Sequence, residues 1–411
     1  MARKRTHLPL TWQDNSPGVG LALATLGLLA LGVVMVHSAL ASVAEPGPWR
    51  ARRDVWQTIY AAAAAVVLLT FWRLDYRRLV SRRRVPGLLA AAMLLALATG
   101  GLVYVPGLGH EVGERLRWVQ VRVAGMTLRF QPSELIKLSM VVFLAAWLTR
   151  PKTNPRSFLK TFVPACLVIG GCVGMVVRED FGTGMLISVA GIAVLFLAGV
   201  PVRYLVGLLA AAGSAFVLLV RQSPYRWARI MAMVNPWDQA NRCAYHARQS
   251  LLTIITGGYF GKGLGRGMLK RGFLPEGETD FIFSVFCEEW GLVGAVLLIG
   301  LVLLWMWHAR RAAMRAGDGF GRTLAGSLGF VIAFQAVLHV AVDLVAAPPT
   351  GVGCPFISLG GTRLLTMAAA TALIVSVSAH RPPAAVADAD ASPVADDLAA
   401  APARRKPAVS P

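Results

Sequence analysis

The chain has 411 residues, of which 56% are hydrophobic and 15% are charged, and its mean hydropathy is +0.59. A soluble core cannot absorb so much apolar surface, so the composition excludes an ordinary soluble enzyme and predicts a multi-pass membrane protein. The formal net charge of +20 would suit nucleic-acid binding, but the Lys and Arg residues cluster in alternate connections between apolar stretches, which indicates membrane topology and no nucleic acid.

The apolar stretches predict an all-α polytopic fold with about ten transmembrane helices. They lie near 18–41, 55–72, 85–106, 132–149, 159–177, 183–200, 202–220, 281–307, 323–347 and 358–379. The basic connections place both termini in the cytoplasm. This gives a basic N-terminal tail over 1–17, a membrane domain over 18–380 and a disordered cytoplasmic tail over 381–411. The connection over about 221–280 is far longer than a tight turn, so we expect an extracytoplasmic functional region there.

The fourth predicted span opens with Q-P-S-E-L-I-K-L, in which Pro132 fits a helix start and Gln131 or Ser133 could cap it. Glu134 and Lys137 share a helical face at i, i+3. They could form an ion pair that makes their burial tolerable, or Lys137 could face a cavity and meet a phosphate.

Two further polar clusters lie near the long connection: one precedes it, and the other lies at its start. Asp180, in the short turn R-E-D-F-G-T, is expected to cap the following helix rather than to act in catalysis. Arg226 and Arg229 in Y-R-W-A-R-I have i, i+3 spacing, so both could face one ligand, or they could be cations at a membrane surface.

A glycine-rich turn over 257–267 carries Lys262 and Arg266 between its glycines. Its backbone amides could approach an anion closely, which suggests a phosphate cradle, but the nucleotide P-loop pattern is absent. A flexible hinge is the competing interpretation.

Asp280 closes an acidic cluster that includes Glu276, at the boundary of the eighth predicted span. A carboxylate beside hydrocarbon is tolerated mainly where chemistry or transport needs it, so Asp280 is the first candidate for a functional group. Glu288, inside that span, could be bonded to helix ends or could support Asp280. The five cysteines lack metal-ligand spacing, so neither a disulfide framework nor a zinc site is indicated.

Together these segments resemble the shape, elongation, division and sporulation family, which comprises FtsW, RodA and SpoVE. The resemblance covers nearly the whole chain before the tail. It is carried by Q-P-S-E-L-I-K-L at 131–138, D-F-G-T at 180–183, Y-R-W-A-R-I at 225–230, G-K-G-L-G-R-G at 261–267, P-E-G-E-T-D-F-I-F at 275–283, E-E-W-G at 288–291 and P-F-I-S-L-G-G at 355–361.

The resemblance implies a ten-span protein of the bacterial inner membrane, at the division septum or in elongation, that polymerises lipid II into β-1,4 glycan strands beside a class B penicillin-binding protein transpeptidase. It implies that Asp280 is the general base. Substrate and diphosphate binding would fall to Lys137, Glu134, Arg226, Arg229 and Lys262, with Asp180, Glu276 and Glu288 in support. A divalent cation, Mg²⁺ or Mn²⁺, could share the work, although the sequence shows no dedicated metal site.

The chain departs from the family pattern at several positions. Glu179 replaces a Pro, His339 replaces an Asn, Leu359 replaces an aromatic residue, a Ser-Ser pair has become Thr362 and Arg363, and Asp343 is an additional intramembrane carboxylate. Two other functions stay open at this point: a lipid II transporter, which the intramembrane charges would suit, and a scaffold that activates a transpeptidase without chemistry of its own.

Overall fold

The computed structural model describes residues 15–41, 52–71, 73–81, 85–112, 115–123, 126–269 and 272–380. The predicted C-terminal tail lies outside these residues, as does the predicted N-terminal tail apart from residues 15–17.

Each of the ten predicted spans overlaps a helix. The helices that correspond to them, in chain order, are α1 (Ser16–Leu40), α2 (Arg53–Phe71), α4 (Val85–Gly101), α5 (Pro132–Leu148), α6 (Val163–Val177), α7 (Phe181–Leu197), α8 (Val202–Arg221), α11 (Ile282–Met314), α12 (Gly319–Asp343) and α13 (Gly361–Ala379). A short helix, α3 (Arg78–Ser81), precedes α4, and a π-helical turn (Phe158–Phe162) leads into α6.

Seven helical segments in the described part of the chain are long and apolar enough to cross a membrane. The other three predicted spans, α4, α5 and α7, are helices of 17 residues each. At 1.5 Å per residue, such a helix is about 26 Å long, slightly less than a typical hydrocarbon core. The polytopic all-α class is confirmed, and the helices follow the predicted spans in order.

Two features go beyond the predicted spans, although the i, i+3 spacing of Arg226 and Arg229 assumed a helix where α9 lies. The connection between α4 and α5 folds into a small antiparallel sheet of β1 (Gly109–Val112), β2 (Arg115–Val123) and β3 (Met126–Phe130), in that order. The long connection over 221–280 contains two amphipathic helices, α9 (Pro224–Val234) and α10 (Arg242–Gly257). Both features lie at the end of the bundle where α2, α5, α7, α11 and α13 begin, which we call the site end.

Helix α13 forms the centre of the bundle, packed against α1, α2 and α12. Nearly every side chain along it is buried, which is unusual for a span and explains how it carries Arg363, Thr366 and Thr371 without exposing them to lipid. Helix α8, by contrast, exposes an apolar surface along most of its length, as expected of a lipid-facing element.

Helix α11 is interrupted at Gly291, whose φ of 66° and ψ of −167° are not helical. The glycine-rich turn fills the interruption. The amides of Leu292 and Val293 donate to the carbonyls of Gly258 and Tyr259, at 2.9 and 3.1 Å. The backbone groups that the break frees are therefore paired, as burial requires.

Candidate functional site

Asp280 lies in a tight turn just before α11. Its backbone amide donates to the carbonyl of Glu276 at 2.9 Å, and α11 begins two residues later at Ile282. The Asp280 side chain is partly exposed, and among the described residues its carboxylate makes no hydrogen bond or ion pair. Its Oδ2 lies 3.7 Å from the point that a Cβ on Gly351 would occupy, so a glycine keeps the opposite wall clear. The carboxylate is therefore partly accessible and has no partner in the described part of the chain.

The charges around Asp280 are mostly positive. The pKa of the Asp280 carboxyl is raised to about 6: burial is the largest cause and Glu276 adds to it, while Arg363, Arg229 and Arg117 act in the opposite direction. A carboxyl with a pKa near 6 is still mainly ionised at neutral pH, yet it is a stronger base than an exposed carboxylate.

The small sheet brings Arg117 to this site. Its Nε donates to the Glu179 carbonyl at 3.0 Å, and its Nη1 lies 3.5 Å from the point that a Cβ on Gly351 would occupy. The amide of Leu116 donates to the Glu179 carboxylate at 3.3 Å. These hydrogen bonds hold strand β2 against the turn before α7, and its Arg117 side chain faces Asp280.

Glu134 and Lys137 form the ion pair that one interpretation of α5 predicted. The Lys137 Nζ lies 2.8 Å from Glu134 Oε2 and donates to Gln335 Oε1 at 3.3 Å. Arg363 Nε approaches the other Glu134 oxygen at 3.7 Å, and all four side chains are buried. A charge network therefore runs from α5 to Arg363, which acts on Asp280. Whether Lys137 also meets a phosphate stays a prediction.

Asp180 caps α7, as expected. Its Oδ1 accepts from the Thr183 amide at 3.0 Å, and its Oδ2 accepts from the Thr183 hydroxyl at 2.8 Å. Gln131 occupies the position before α5, but its side chain donates to Asp180 at 3.3 Å and does not cap its own helix. Asp180 therefore joins the starts of α5 and α7 at the site end.

The two arginines of α9 have different partners. Arg229 donates to the Pro349 carbonyl at 2.9 Å and acts on Asp280. The Arg226 guanidinium lies over the Phe181 ring, 4.7 Å from its centroid. The spacing placed both on one side of α9, but they contact different elements, Arg226 the start of α7 and Arg229 the segment at Pro349, and only Arg229 acts on Asp280.

Hydrogen bonds and an ion pair join the glycine-rich turn to the first part of α11. The amides of Lys262 and Gly263 donate to the carbonyls of Glu288 and Glu289, both at 3.0 Å. Lys262 Nζ lies 2.7 Å from Glu288 Oε1, which also accepts from the Met268 amide at 2.9 Å. Glu288 thus bonds to the turn, and binding of a diphosphate by Lys262 stays a prediction.

Sequence reasoning did not assign Arg117, Arg363 or Gly351 to the site. Arg363 carries a readable signal, because an arginine at the start of an apolar helix is rare unless it has a role. It is buried, and its Nε and Nη1 make no hydrogen bond in the described part of the chain. Arg117 and Gly351 reach Asp280 only through the tertiary fold.

The side chains around Asp280 indicate whether the protein itself could hold a metal ion. Within the described ranges, no group of three or more His, Cys, Asp or Glu side chains lies together so as to hold a metal ion. Asp280 and Glu276 are accompanied by three guanidinium groups, which disfavour a further cation. These residues do not fit a protein-held metal site, and a divalent cation stays a prediction.

Fold and site together define a polytopic helical membrane protein with a basic carboxylate among arginines at one end of its bundle. A family profile described as a cell cycle protein, FtsW/RodA/SpoVE, matches residues 20–382. Stage V sporulation protein E of Bacillus subtilis is 33% identical over 376 residues, covering 90% of this chain and 99% of that protein. A protein named "Probable peptidoglycan glycosyltransferase FtsW" from Thioalkalivibrio sulfidiphilus is 35% identical over 369 residues, covering 88% and 89%.

Solved structures agree. The rod shape determining protein RodA of Thermus thermophilus superposes with a TM-score of 0.61 at 26% identity, over 89% of this chain and 97% of that one. A chain from a structure described as "Structural coordination of polymerization and crosslinking by a peptidoglycan synthase complex" gives a TM-score of 0.68 at 27% identity, over 88% and 97%. The chain belongs to the FtsW/RodA/SpoVE family.

Proposed function

We propose that this chain polymerises lipid II into β-1,4 glycan strands, with Asp280 as the general base. The class of enzyme, a peptidoglycan glycosyltransferase, follows from membership of the family and from the names of its relatives. The observation that supports the residue assignment is the open Asp280 carboxylate, basic through burial and surrounded by arginines.

The reaction joins two lipid-linked sugars. The 4-hydroxyl of the acceptor attacks the anomeric carbon of the donor, the bond from that carbon to the diphosphate oxygen breaks, and the configuration inverts. Asp280 takes the hydroxyl proton as the new bond forms. Arg117, Arg229 and Arg363 supply positive charge for the departing diphosphate, and the low local dielectric strengthens their effect.

Neither competing function is favoured. Relatives across the chain's length are named as glycosyltransferases, and none of those named here is called a transporter. A scaffold without chemistry would have no use for an unpaired carboxylate of raised pKa among three arginines.

We also propose the finer context. The chain lies in the bacterial inner membrane with both termini in the cytoplasm, and its site end is extracytoplasmic. There it acts with a class B penicillin-binding protein, which would crosslink the strands that this chain polymerises. The similar chain in the peptidoglycan synthase complex, which is described as coordinating polymerization and crosslinking, supports such a pairing.

The deciding experiment compares wild type with Asp280→Asn in polymerisation of purified lipid II, each reconstituted with the co-purified transpeptidase. The amide keeps the shape but cannot take a proton, so we expect a loss of at least ~100-fold. Asp238→Asn, an exposed carboxylate of the same connection, is the matched control and should keep full activity. Equal rates for wild type and Asp280→Asn would reject the assignment. Labelled lipid crossing liposomes without any polymer would favour transport.

A further inference from the structure

Two buried side chains on α12 reach both backbone segments that flank Asp280. His339 and Asp343 are four residues apart, so they share a helical face. His339 Nδ1 lies 3.0 Å from the carbonyl oxygen of Val352. Asp343 Oδ2 accepts from the backbone amide of Ser284 at 2.9 Å. Both side chains are fully inaccessible to solvent, at 0% exposure.

The two anchored segments are the turn into α11 that carries Asp280 and the Gly351–Val352 segment that faces it, and we call the space between them the Asp280 groove. Ser284 lies in the first turn of α11, four residues after Asp280. Val352 follows Gly351, which faces the Asp280 carboxylate and the Arg117 guanidinium. A shift of either anchor would therefore change where Asp280 stands relative to the opposite wall.

The hydrogen bonds around Asp343 indicate where a proton lies. Ser250 Oγ is 2.7 Å from the Asp343 carbonyl and 2.7 Å from Ser284 Oγ, which is 3.0 Å from Asp343 Oδ2. These three oxygen–oxygen contacts need three hydrogens, and the two hydroxyls supply two. A protonated Asp343 carboxyl supplies the third by donating to Ser284 Oγ, which leaves Ser284 free to donate to Ser250.

His339 agrees with this count. A carbonyl oxygen only accepts, so the Nδ1 atom facing Val352 carries a hydrogen. In a neutral imidazole, Nε2 then presents a lone pair to Asp343 Oδ2, 3.8 Å away. Within the described chain Nε2 has no hydrogen-bond partner. A neutral imidazole beside a neutral acid is net uncharged, which suits a site with no access to water.

We propose that His339 and Asp343 are positioning residues that hold the two sides of the Asp280 groove together, as a net-neutral pair whose proton resides on Asp343. Neither touches the reacting atoms, and they act through Val352 and Ser284. The inference rests on the proposed role of Asp280.

Two substitutions of Asp343 distinguish the effect of its charge from the effect of its hydrogen bonds. Asp343→Asn is uncharged like the protonated acid, and its Oδ1 in the place of Asp343 Oδ2 still accepts from the Ser284 amide, although it offers Ser284 Oγ no donor. We expect its kcat within about threefold of wild type. Asp343→Leu keeps the branched shape, with somewhat larger end groups, but removes both bonds, and we expect kcat to fall about 10- to 100-fold with little change in KM for lipid II.

His339 offers the second comparison. In His339→Asn the amide nitrogen can take the position of Nδ1 and keep the bond to Val352, so activity should stay near that of wild type. His339→Leu loses this bond and should lower kcat as Asp343→Leu does. If Asp343→Leu does not fold, the two His339 variants decide the question alone.

The pH profile distinguishes positioning from simple loss of stability. Arg363 of α13, Arg229 of α9, Arg117 of β2 and Glu276 of its own turn act on Asp280, and none of them changes in the variants. Asp343 of α12 also interacts with Asp280 and is removed in Asp343→Leu, so His339→Leu, which keeps Asp343, gives the cleaner comparison. A loosened groove admits water, which reduces the desolvation of Asp280, so the acid limb of kcat should move to lower pH in both Leu variants.

Thr25→Val is the stability control. Thr25 is buried on α1 and accepts a hydrogen bond from Trp305 Nε1 at 2.9 Å, far along α11 from Asp280. It should lower thermal stability and leave the acid limb in place. A folded Asp343→Leu with normal kcat and an unmoved acid limb would overturn the proposal, as would an Asp343→Asn as impaired as Asp343→Leu. Asp280→Asn, assayed alongside, reports separately on the proposed function.

Discussion

Replacing Asp280 with Asn should stabilise the protein while removing its activity. The pKa of this carboxyl is about 6 in the folded chain, against an ordinary value of 3.8. A raised pKa means that ionisation is disfavoured in the folded state. Stability is therefore lost as pH rises from about 4 to about 6, and the whole cost applies above that window. Asparagine never ionises, so the variant lacks this cost.

The magnitude follows from the shift. Two pKa units at about 1.4 kcal/mol each give about 3 kcal/mol, and solvent screening of a partly exposed side chain lowers this to between about 1 and 3 kcal/mol. The net pKa shift of Asp280 already includes its favourable interactions with the three arginines, which the Asn variant loses. The cost arises because burial outweighs their attraction.

The assay is thermal unfolding of detergent-purified protein at two pH values. At about pH 7.5, Asp280→Asn should unfold at a temperature a few degrees above wild type; at about pH 5 the wild-type carboxyl is mostly protonated, and the difference should shrink. Asp238→Asn, on the exposed turn before α10, should show no pH-dependent difference. An equal shift at both pH values, or none at pH 7.5, would refute the reasoning about burial.

Three further predictions concern the surroundings of the site. The acid limb of the polymerisation rate should have its midpoint near pH 6, and Glu276→Gln should move it lower, because removing this carboxylate eases ionisation of its neighbour; a pH series with both proteins measures this. Lys262→Met leaves the buried Glu288 carboxylate without its cation, so we expect a stability loss of about 1 to 3 kcal/mol, measured by thermal unfolding. An unchanged stability with a raised KM for lipid II would instead identify a role in binding substrate. Gly261→Ala would drive its Cβ into the backbone carbonyl of Glu289 in α11 at a φ of +77°, so folded protein should be scarce after extraction. Gly265→Ala, at a similar φ but with open space around it, is the matched control and should cost about 1 kcal/mol.

The helices were predictable because the bilayer imposes their length and their apolar character. The first predicted span, 18–41, differs from Ser16–Leu40 by two residues or fewer at each end, and the seventh, 202–220, differs from Val202–Arg221 by a single residue. The sheet was missed, although Val119, Val121 and Val123 alternate with polar residues, which is the period of a strand. The signal is short and lies between two strong helical patterns.

The site was predictable only where chemistry shows in the local sequence. Asp280 stands out as a carboxylate at the start of an apolar helix, and Glu134 with Lys137 as charges inside one. Gly351 and Arg363 lie 71 and 83 residues beyond Asp280, and their approach depends on how α12 and α13 pack. No local pattern encodes such a contact, since helix packing is determined by many side chains at once.

The interruption of α11 at Gly291 has a practical consequence for exchanging parts between relatives. Because residues 258–263 complete the backbone pairing of the interrupted helix, the glycine-rich turn and the helix share one set of hydrogen bonds. A chimaera joined near residue 281 would take the glycine-rich turn from one parent and α11 from the other. The hydrogen-bond donors and acceptors that pair across the interruption would then come from different proteins. Recombination points before 242 and after 294 keep them in one parental block, and such hybrids should insert and fold better than those joined near 281.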